Sequence, residues 1–597
     1  MAARPRLADG IDKRGGNDVH NSADGTVLTA ASSLVDPETG PETGPGPGPR
    51  TAPARAARTA AAEDTALAAA LRTLLGVPRE NTDSGRTAEY VLPELTPPTG
   101  REANRAAVAA ALAAGGVTHF AVPGLEDRSS AVGVPEDERD AALAALAAAT
   151  AAVTGYASAV HASRPVELPN RPADRAAWAA LSAARAIQLS WPLTDPSGSL
   201  TVGHEYGCTV EFWRREGDEL VAPRGNRLTP RIAADGPAVP VPAHRFGRLL
   251  SAHGTDPVNH VPLVSRPEFN RAGIDTIDFP VDAVYTWVDG TDPRWQQRKA
   301  AASGEVYHAE SASDARFLSR DELRYSLRSL RANAPWIRTV FIVTDDQRPA
   351  WFPEDLPGAR VVSHREIFDD PADLPTFNSH SIESQLHHID GLAEHFLYFN
   401  DDMFLGRPIA PHAFFTPSGI TKHFPSAARI PLGPVTPDDT PVDAACKNNR
   451  ALLQARFGRV NSQPMDHIPY ALRRSVMAEI EAAFPEAYAR TAGSRFRAMT
   501  DLSVTSSLHH YFAMFTGRSV PSAVQYGYVQ LAHPELAKRL AAMLARRDRD
   551  AICVNDAFST PEDMAAQDAV LRPFLDSYFP VPSRYELPDT PCPTDTP

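Results

Sequence analysis

The chain has 597 residues, 43% of them hydrophobic, and a formal net charge of -14; this length excludes one small domain and predicts about three or four domain-sized segments. The acidic balance, with no long run of Lys and Arg, excludes general nucleic-acid binding, so an acidic substrate requires a local cationic pocket. Four cysteines (Cys208, Cys446, Cys553 and Cys592) stand far apart with no Cys-x-x-Cys pair, which predicts neither a zinc knuckle nor a disulfide framework and fits a reducing cytosol.

Residues 1–55, rich in Gly, Pro, Thr and Ala, carry too little apolar surface to order themselves and are expected to form a disordered tail. Their basic first residues lack the apolar stretch of a signal peptide. The next apolar segment, 56–77, is interrupted by Arg58, Glu63, Asp64 and Arg72, so it predicts a soluble helix and no intrinsic membrane span. Alanine-dominated helices are expected at 101–114 and 137–153, and a strand at 208–215 followed by a turn at Glu216-Gly217-Asp218. Together these make 56–275 an accessory α+β region.

From about residue 280 strands and helices alternate. Strands are expected at 283–288, 339–343, 360–362 and 396–399, and helices at 320–333 and 381–389. Ser319 and Glu322 stand at capping-box spacing before the first of these helices, and Pro335 follows its end. Strand–helix–strand order predicts a mostly parallel sheet covered by helices.

Three of the strands end in acidic or amide groups: Asp289-Gly290 with Asp292, Asp345-Asp346, and Asn400-Asp401-Asp402. In a parallel sheet these ends share one edge, where the carboxylates can hold a hard divalent cation and diphosphate oxygens; the alternative is a set of solvated turns. Arg324, Arg328 and Arg331 recur along one helix beside Leu323, Leu327 and Leu330, either to steady a pyrophosphate or as a solvated face. His380, Glu383 and His387 fall on one helical face, as a metal or acid–base cluster or as groups that orient the neighbouring carboxylates. Further on, His467 is placed to take a proton from an attacking hydroxyl and Arg497 to neutralise a transferring phosphate. Asn555-Asp556 ends another apolar run as a metal-ligand pair.

In order along the chain these segments resemble the Stealth family of bacterial capsule-polysaccharide phosphotransferases, to which the catalytic subunit of animal N-acetylglucosamine-1-phosphotransferase is also similar. The resemblance rests on Tyr285-Thr286-Trp287-Val288-Asp289-Gly290, on Asp321-Glu322-Leu323-Arg324-Tyr325-Ser326-Leu327-Arg328, and on Phe377-Asn378-Ser379-His380-Ser381-Ile382-Glu383. Phe399-Asn400-Asp401-Asp402-Met403-Phe404, His467-Ile468-Pro469-Tyr470 with Phe496-Arg497 and Asp501, and Ile552-Cys553-Val554-Asn555-Asp556 complete it. It covers about half the chain. One departure stands out: the family has an acidic residue and Asn before Asp321-Glu322-Leu323-Arg324, where this chain has Ser319 and Arg320.

The resemblance implies a Rossmann-like, glycosyltransferase-A-like catalytic domain at 276–585, with a flexible carboxyl-terminal tail at 586–597. It implies transfer of a sugar 1-phosphate, such as a hexose or N-acetylhexosamine 1-phosphate, from a nucleotide sugar such as UDP-N-acetylglucosamine to a saccharide hydroxyl. The expected cofactor is Mg2+ or Mn2+ held by Asp401, Asp402, Asn555 and Asp556. Asp289, Gly290, Arg324, Arg328, His380 and Glu383 are expected to bind substrate, and His467, Arg497 and Asp402 to be catalytic. The expected location is cytoplasmic, with peripheral association with export machinery at the inner face of the plasma membrane. The competing readings are a metal-dependent glycosyltransferase that releases a nucleoside diphosphate and a non-catalytic binding module.

Overall fold

The computed structural model describes residues 66–79, 89–160, 175–303, 319–556 and 561–588. The expected tail at 1–55 lies outside the described residues, as does Cys592. The other three cysteines are buried free thiols.

In the accessory region, helix Pro97–Ala114 opens with a capping box in which Thr96 and Thr99 satisfy each other's backbone amides. Its alanines, among them Ala103, Ala107 and Ala111, share a core with helix Arg139–Ala152 and Trp191. These helices cover a mixed sheet centred on strand Cys208–Glu216, which runs parallel to Ser130–Pro135 and antiparallel to Ala186–Ser190. The expected turn closes a hairpin to Glu219–Val221, with Gly217 at φ +61°. That is the left-handed conformation glycine adopts without a Cβ clash.

The second region carries the predicted parallel sheet. Its strands are β1 (Val281–Thr286), β2 (Val340–Thr344), β3 (Ala359–Ser363), β4 (His395–Asn400) and β6 (Tyr470–Arg473), with β5 (Met403–Leu405) set aside in a second sheet. The order across the main sheet is β3-β2-β1-β4-β6. β1 to β4 are parallel and β6 is antiparallel to β4. Val281, Ala283, Val284 and Tyr285 are all buried, as expected of strands covered on both faces. Asp282, buried at the amino end of β1, is held by two hydrogen bonds from Arg338 at 2.8 and 2.6 Å and by the Ala393 amide.

Helix α1 (Pro293–Ala302) follows β1, and α2 (Glu322–Asn333) seats Leu323, Leu327 and Leu330 against the sheet. The expected capping box does not form. Asp321 has φ 65°, which keeps the chain out of helical geometry until Glu322, and the Glu322 carboxylate instead accepts the Arg320 amide at 2.6 Å. The helix expected at 381–389 is α3 (Ser379–Ser384), followed by one tighter turn at Leu386–His388. Strands β7 (Tyr526–Gln530) and β8 (Ala551–Asn555) join β5 in the second sheet, in the order β5-β8-β7. Helix α4 (Pro561–Tyr578) covers it through Leu571, Phe574 and Leu575. Among the described residues no helix is long and apolar enough to cross a membrane.

Candidate active site

Strand direction assembles the site. β1 and β4 are parallel and in register, with Thr286 beside Asn400, so both end at the same edge. Asp401 and Asp402 follow directly, in the turn between β4 and β5. β6 runs the opposite way, with Tyr470 paired to Tyr398, so His467, three residues upstream of Tyr470, falls beyond the carboxyl end of β4. β8 is antiparallel to β5 with Cys553 opposite Met403, which carries Asn555 and Asp556 back past the two aspartates. Residues separated by more than 150 positions thus meet at one sheet edge, where open α/β folds bind ligands.

Asp402 is the centre of the cluster. Its Oδ1 is buried and accepts no hydrogen bond; His467 Nε2 stands 3.5 Å away. Its Oδ2 accepts the Cys553 thiol at 3.4 Å. The ligand atoms of Asp402, His467 and Cys553 all lie within 4.8 Å of one another, an oxygen, a nitrogen and a sulfur able to close on one cation. Tyr470 Oη lies 3.2 Å from His467 Nδ1, and Tyr526 Oη donates to the His467 carbonyl at 3.1 Å, fixing the residue at both ends. Burial works to lower the His467 pKa, but the neighbouring Asp402 carboxylate, with Glu383 behind it, outweighs burial and raises it.

Asp401 and Glu322 form a second acidic pair. Burial, and then the Glu322 and Asp402 charges, push the Asp401 carboxyl well above its ordinary range. Burial is also the main reason Glu322 rises to about 7, against the opposing pull of Arg320. Crowding that disfavours the charged forms of these carboxyls is strain a neighbouring cation would relieve. Arg320 answers part of this charge: its guanidinium pairs with Asp556 at 2.7 Å and Asp568 at 2.7 Å and donates to Gln567 at 3.0 Å.

Of the other residues expected at the site, Glu383 is buried and accepts the Thr505 hydroxyl at 2.5 Å, and its charge reaches Tyr398, Tyr470 and His467. His380 lies 3.6 Å from Asp501, which also accepts Asn378 at 2.8 Å. Arg497 donates to Ser379 Oγ at 2.8 Å and sits close enough to His467 to oppose its protonation. Asn555 is half-buried at the end of β8.

Several expected residues are engaged elsewhere. Asp289 accepts the Thr291 amide and hydroxyl, at 2.9 and 2.6 Å, inside its own turn. The Gly290 carbonyl accepts Gln296, and Asp292 caps α1. Asp345 pairs with Arg298 and Asp346 with Arg365. Arg324 and Arg328 both bind Glu586, at 2.8 and 2.7 Å; an arginine ladder along the helix is here a clamp on the carboxyl-terminal segment. Glu586, expected to open a flexible tail, is 3% exposed at its side chain, and the next residue, Leu587, donates its amide to the Trp351 carbonyl. His387 leaves the His380–Glu383 face and bonds Glu481 at 2.7 Å, because the helix ends at Ser384 and the tighter turn rotates it away.

Cys553, Glu322, Arg320, Tyr398 and Tyr470 were not expected as site groups. Cys553 sits in the short apolar run that ends in Asn555-Asp556, which is the one local signal of its position.

Four regions of the chain match family descriptions, in order: Stealth protein conserved region 1 over residues 279–307, region 2 over 316–423, region 3 over 466–514 and region 4 over 541–592. An exopolysaccharide phosphotransferase of Streptomyces coelicolor is 60% identical over 500 residues, 83% of this chain and 92% of the relative.

The chain belongs to the Stealth family.

This Stealth protein is a phosphotransferase. A second Streptomyces coelicolor exopolysaccharide phosphotransferase is 48% identical over 84% of this chain and 85% of its own length. The exopolysaccharide phosphotransferase CpsY of Mycobacterium tuberculosis is 38% identical over 65% of this chain and 71% of its own length. The first match is longer than the chain beyond residue 275, so likeness to the Streptomyces relative extends into the accessory region.

Proposed function

We propose that this protein transfers a hexose or N-acetylhexosamine 1-phosphate from a nucleotide sugar to a saccharide hydroxyl in the synthesis of a cell-surface polysaccharide. The observation that carries the reading is the Asp402–His467 pair at the carboxyl ends of β1 and β4. Sheet order supports it: β3-β2-β1-β4 reverses direction between β1 and β4, the switch point outside which Rossmann-like folds take nucleotides. In this reading 276–585 is the catalytic domain, of glycosyltransferase-A-like type, and 56–275 an accessory domain.

The acceptor oxygen attacks the phosphorus that carries the sugar, and the bond from that phosphorus to the nucleoside phosphate breaks. Nucleoside monophosphate leaves, and the acceptor proton passes to His467. Asp402 orients the His467 ring and stabilises its protonated form, while Arg497 balances charge on the transferring group. Mg2+ or Mn2+ suits the Asp402 oxygen that accepts no hydrogen bond and the crowded Asp401 carboxyl, with Asn555 as a further oxygen donor; such an ion would supply charge neutralisation on the diphosphate. Asp556, paired with Arg320, serves the site through that guanidinium. Glu383, whose charge reaches His467, and His380, on the same short helix α3, are assigned to the sugar. A cytoplasmic location, with peripheral association with export machinery at the inner face of the plasma membrane, is the location this reading calls for.

The test is 31P NMR of the saccharide product after incubation with a nucleotide sugar and Mg2+ or Mn2+. A phosphodiester resonance on the saccharide, absent with His467→Gln, supports the reading; a glycosylated product without phosphorus refutes it.

A further inference from the structure

Outside this cluster the structure brings together another set of ligand-type side chains. His387 and His388, on the tight turn Leu386–His388, face Glu481 from helix Arg474–Ala483. Glu481 Oε2 lies 2.7 Å from His387 Nε2 and 3.3 Å from His388 Nε2. All three ligand atoms fall within 4.8 Å of one another. None of these residues is shared with the Asp402–His467–Cys553 cluster.

Two features beyond proximity shape this set for a metal. His388 Nδ1 lies 2.9 Å from the Ile367 carbonyl, a distance at which the nitrogen donates its proton. A neutral ring so anchored presents its lone pair from Nε2, the atom that faces Glu481; a backbone carbonyl behind an imidazole is the usual way metal-binding histidines are oriented. The His387 ring is fixed as well, 3% exposed and packed edge-on against Tyr488 with centroids 6.1 Å apart. Glu481 remains 35% exposed and His388 23%, so an ion can enter from solvent and keep water in its remaining position.

We propose that His387, His388 and Glu481 form a second metal site, for zinc or a similar borderline cation, that ties helix Arg474–Ala483 to the turn after α3. Two imidazole nitrogens and one carboxylate oxygen are the donor set of tetrahedral zinc and a poor one for Mg2+. The site stands independently of the transfer reaction. Its simpler competitor is an ion pair between Glu481 and a protonated His388, which binds no metal.

The test is a Zn2+ titration of the whole chain in competition with a chromogenic chelator, at a pH above 7, for wild type, Glu481→Gln, His388→Gln and Asp402→Asn. Circular dichroism checks that each variant is folded. The expected result is a zinc equivalent, separate from any taken up by the Asp402–His467–Cys553 set, that weakens at least about tenfold in both Glu481→Gln and His388→Gln and persists in Asp402→Asn. Equal zinc stoichiometry and affinity in wild type, Glu481→Gln and His388→Gln overturn the proposal, as does a wild type that takes up no zinc.

Discussion

Replacing Glu586 by Gln tests whether the arginines of α2 bind nucleotide or hold the fold. The Glu586 side chain is 3% exposed, and its partners Arg324 and Arg328 are 9% and 12% exposed. Removing the carboxylate leaves two largely desolvated guanidiniums facing a neutral amide. Breaking a buried pair from one side costs about 3–5 kcal/mol, against about 0–1 kcal/mol for an exposed pair. Lys538–Glu535, with side chains 80% and 56% exposed, is the internal control, and Glu535→Gln is expected to leave the urea midpoint unchanged. Urea unfolding followed by tryptophan fluorescence measures both. Burial works to raise the Glu586 pKa, but Arg328 and then Arg324 hold it below its ordinary value. Its contribution is therefore present above the unfolded carboxylate pKa and is lost as pH falls through the lower folded value. The difference between wild type and Glu586→Gln should shrink in acid. If Glu586→Gln unfolds at the wild-type urea midpoint and binds nucleotide sugar more tightly, the arginines are substrate ligands and the clamp is wrong.

His467→Gln should lower kcat by about 10²–10⁴-fold with the fold intact, the range for loss of a general acid–base group; steady-state rates with a nucleotide sugar and a saccharide acceptor measure it, and a wild-type rate refutes the assignment. His509 is fully buried, and burial pushes its pKa down to about 3. A folded value below the unfolded one means its contribution is complete above about pH 6.5 and is lost as pH falls, by up to about 1.4 kcal/mol per unit. The stability of His509→Gln should therefore fall less steeply than that of wild type between pH 6.5 and 5, read from urea midpoints; parallel slopes contradict it. Arg320→Ala leaves Asp556 and Glu322 without their buried counter-charge, so the variant should need more divalent cation for stability than wild type does. Thermal unfolding with and without Mg2+ reads this, and an unchanged Mg2+ effect excludes Arg320 from the charge balance of the site.

Four of the five main-sheet strands were legible as short apolar runs, while the antiparallel β6 was not expected and the edge strand β3 is largely half-buried; the leucine stripe of α2 identified its buried side. Strand ends were legible as well, since Asp401 and Asp402 break an uninterrupted apolar segment. What the partners of each charge are was not. The spacing of Arg324 and Arg328 describes a helical face, while the identity of Glu586 as their partner depends on a return of the chain more than 250 residues later. The Asp289 turn looks the same in sequence whether its carboxylate binds a ligand or its own Thr291. His387 left its predicted face because α3 ends at Ser384, a boundary for which the sequence carries no Gly or Pro marker. Arg320, noticed only as a departure from the family pattern, proved to be the counter-charge of Asp556; its role follows from burial, which no local motif encodes.

The central claim is that phosphate travels with the sugar, and the nucleotide released by the purified protein measures this most directly. With a nucleotide diphosphate sugar, a divalent cation and a saccharide acceptor, chromatography of the spent donor should show nucleoside monophosphate in step with product, and none with His467→Gln. Nucleoside diphosphate as the sole nucleotide released contradicts the account.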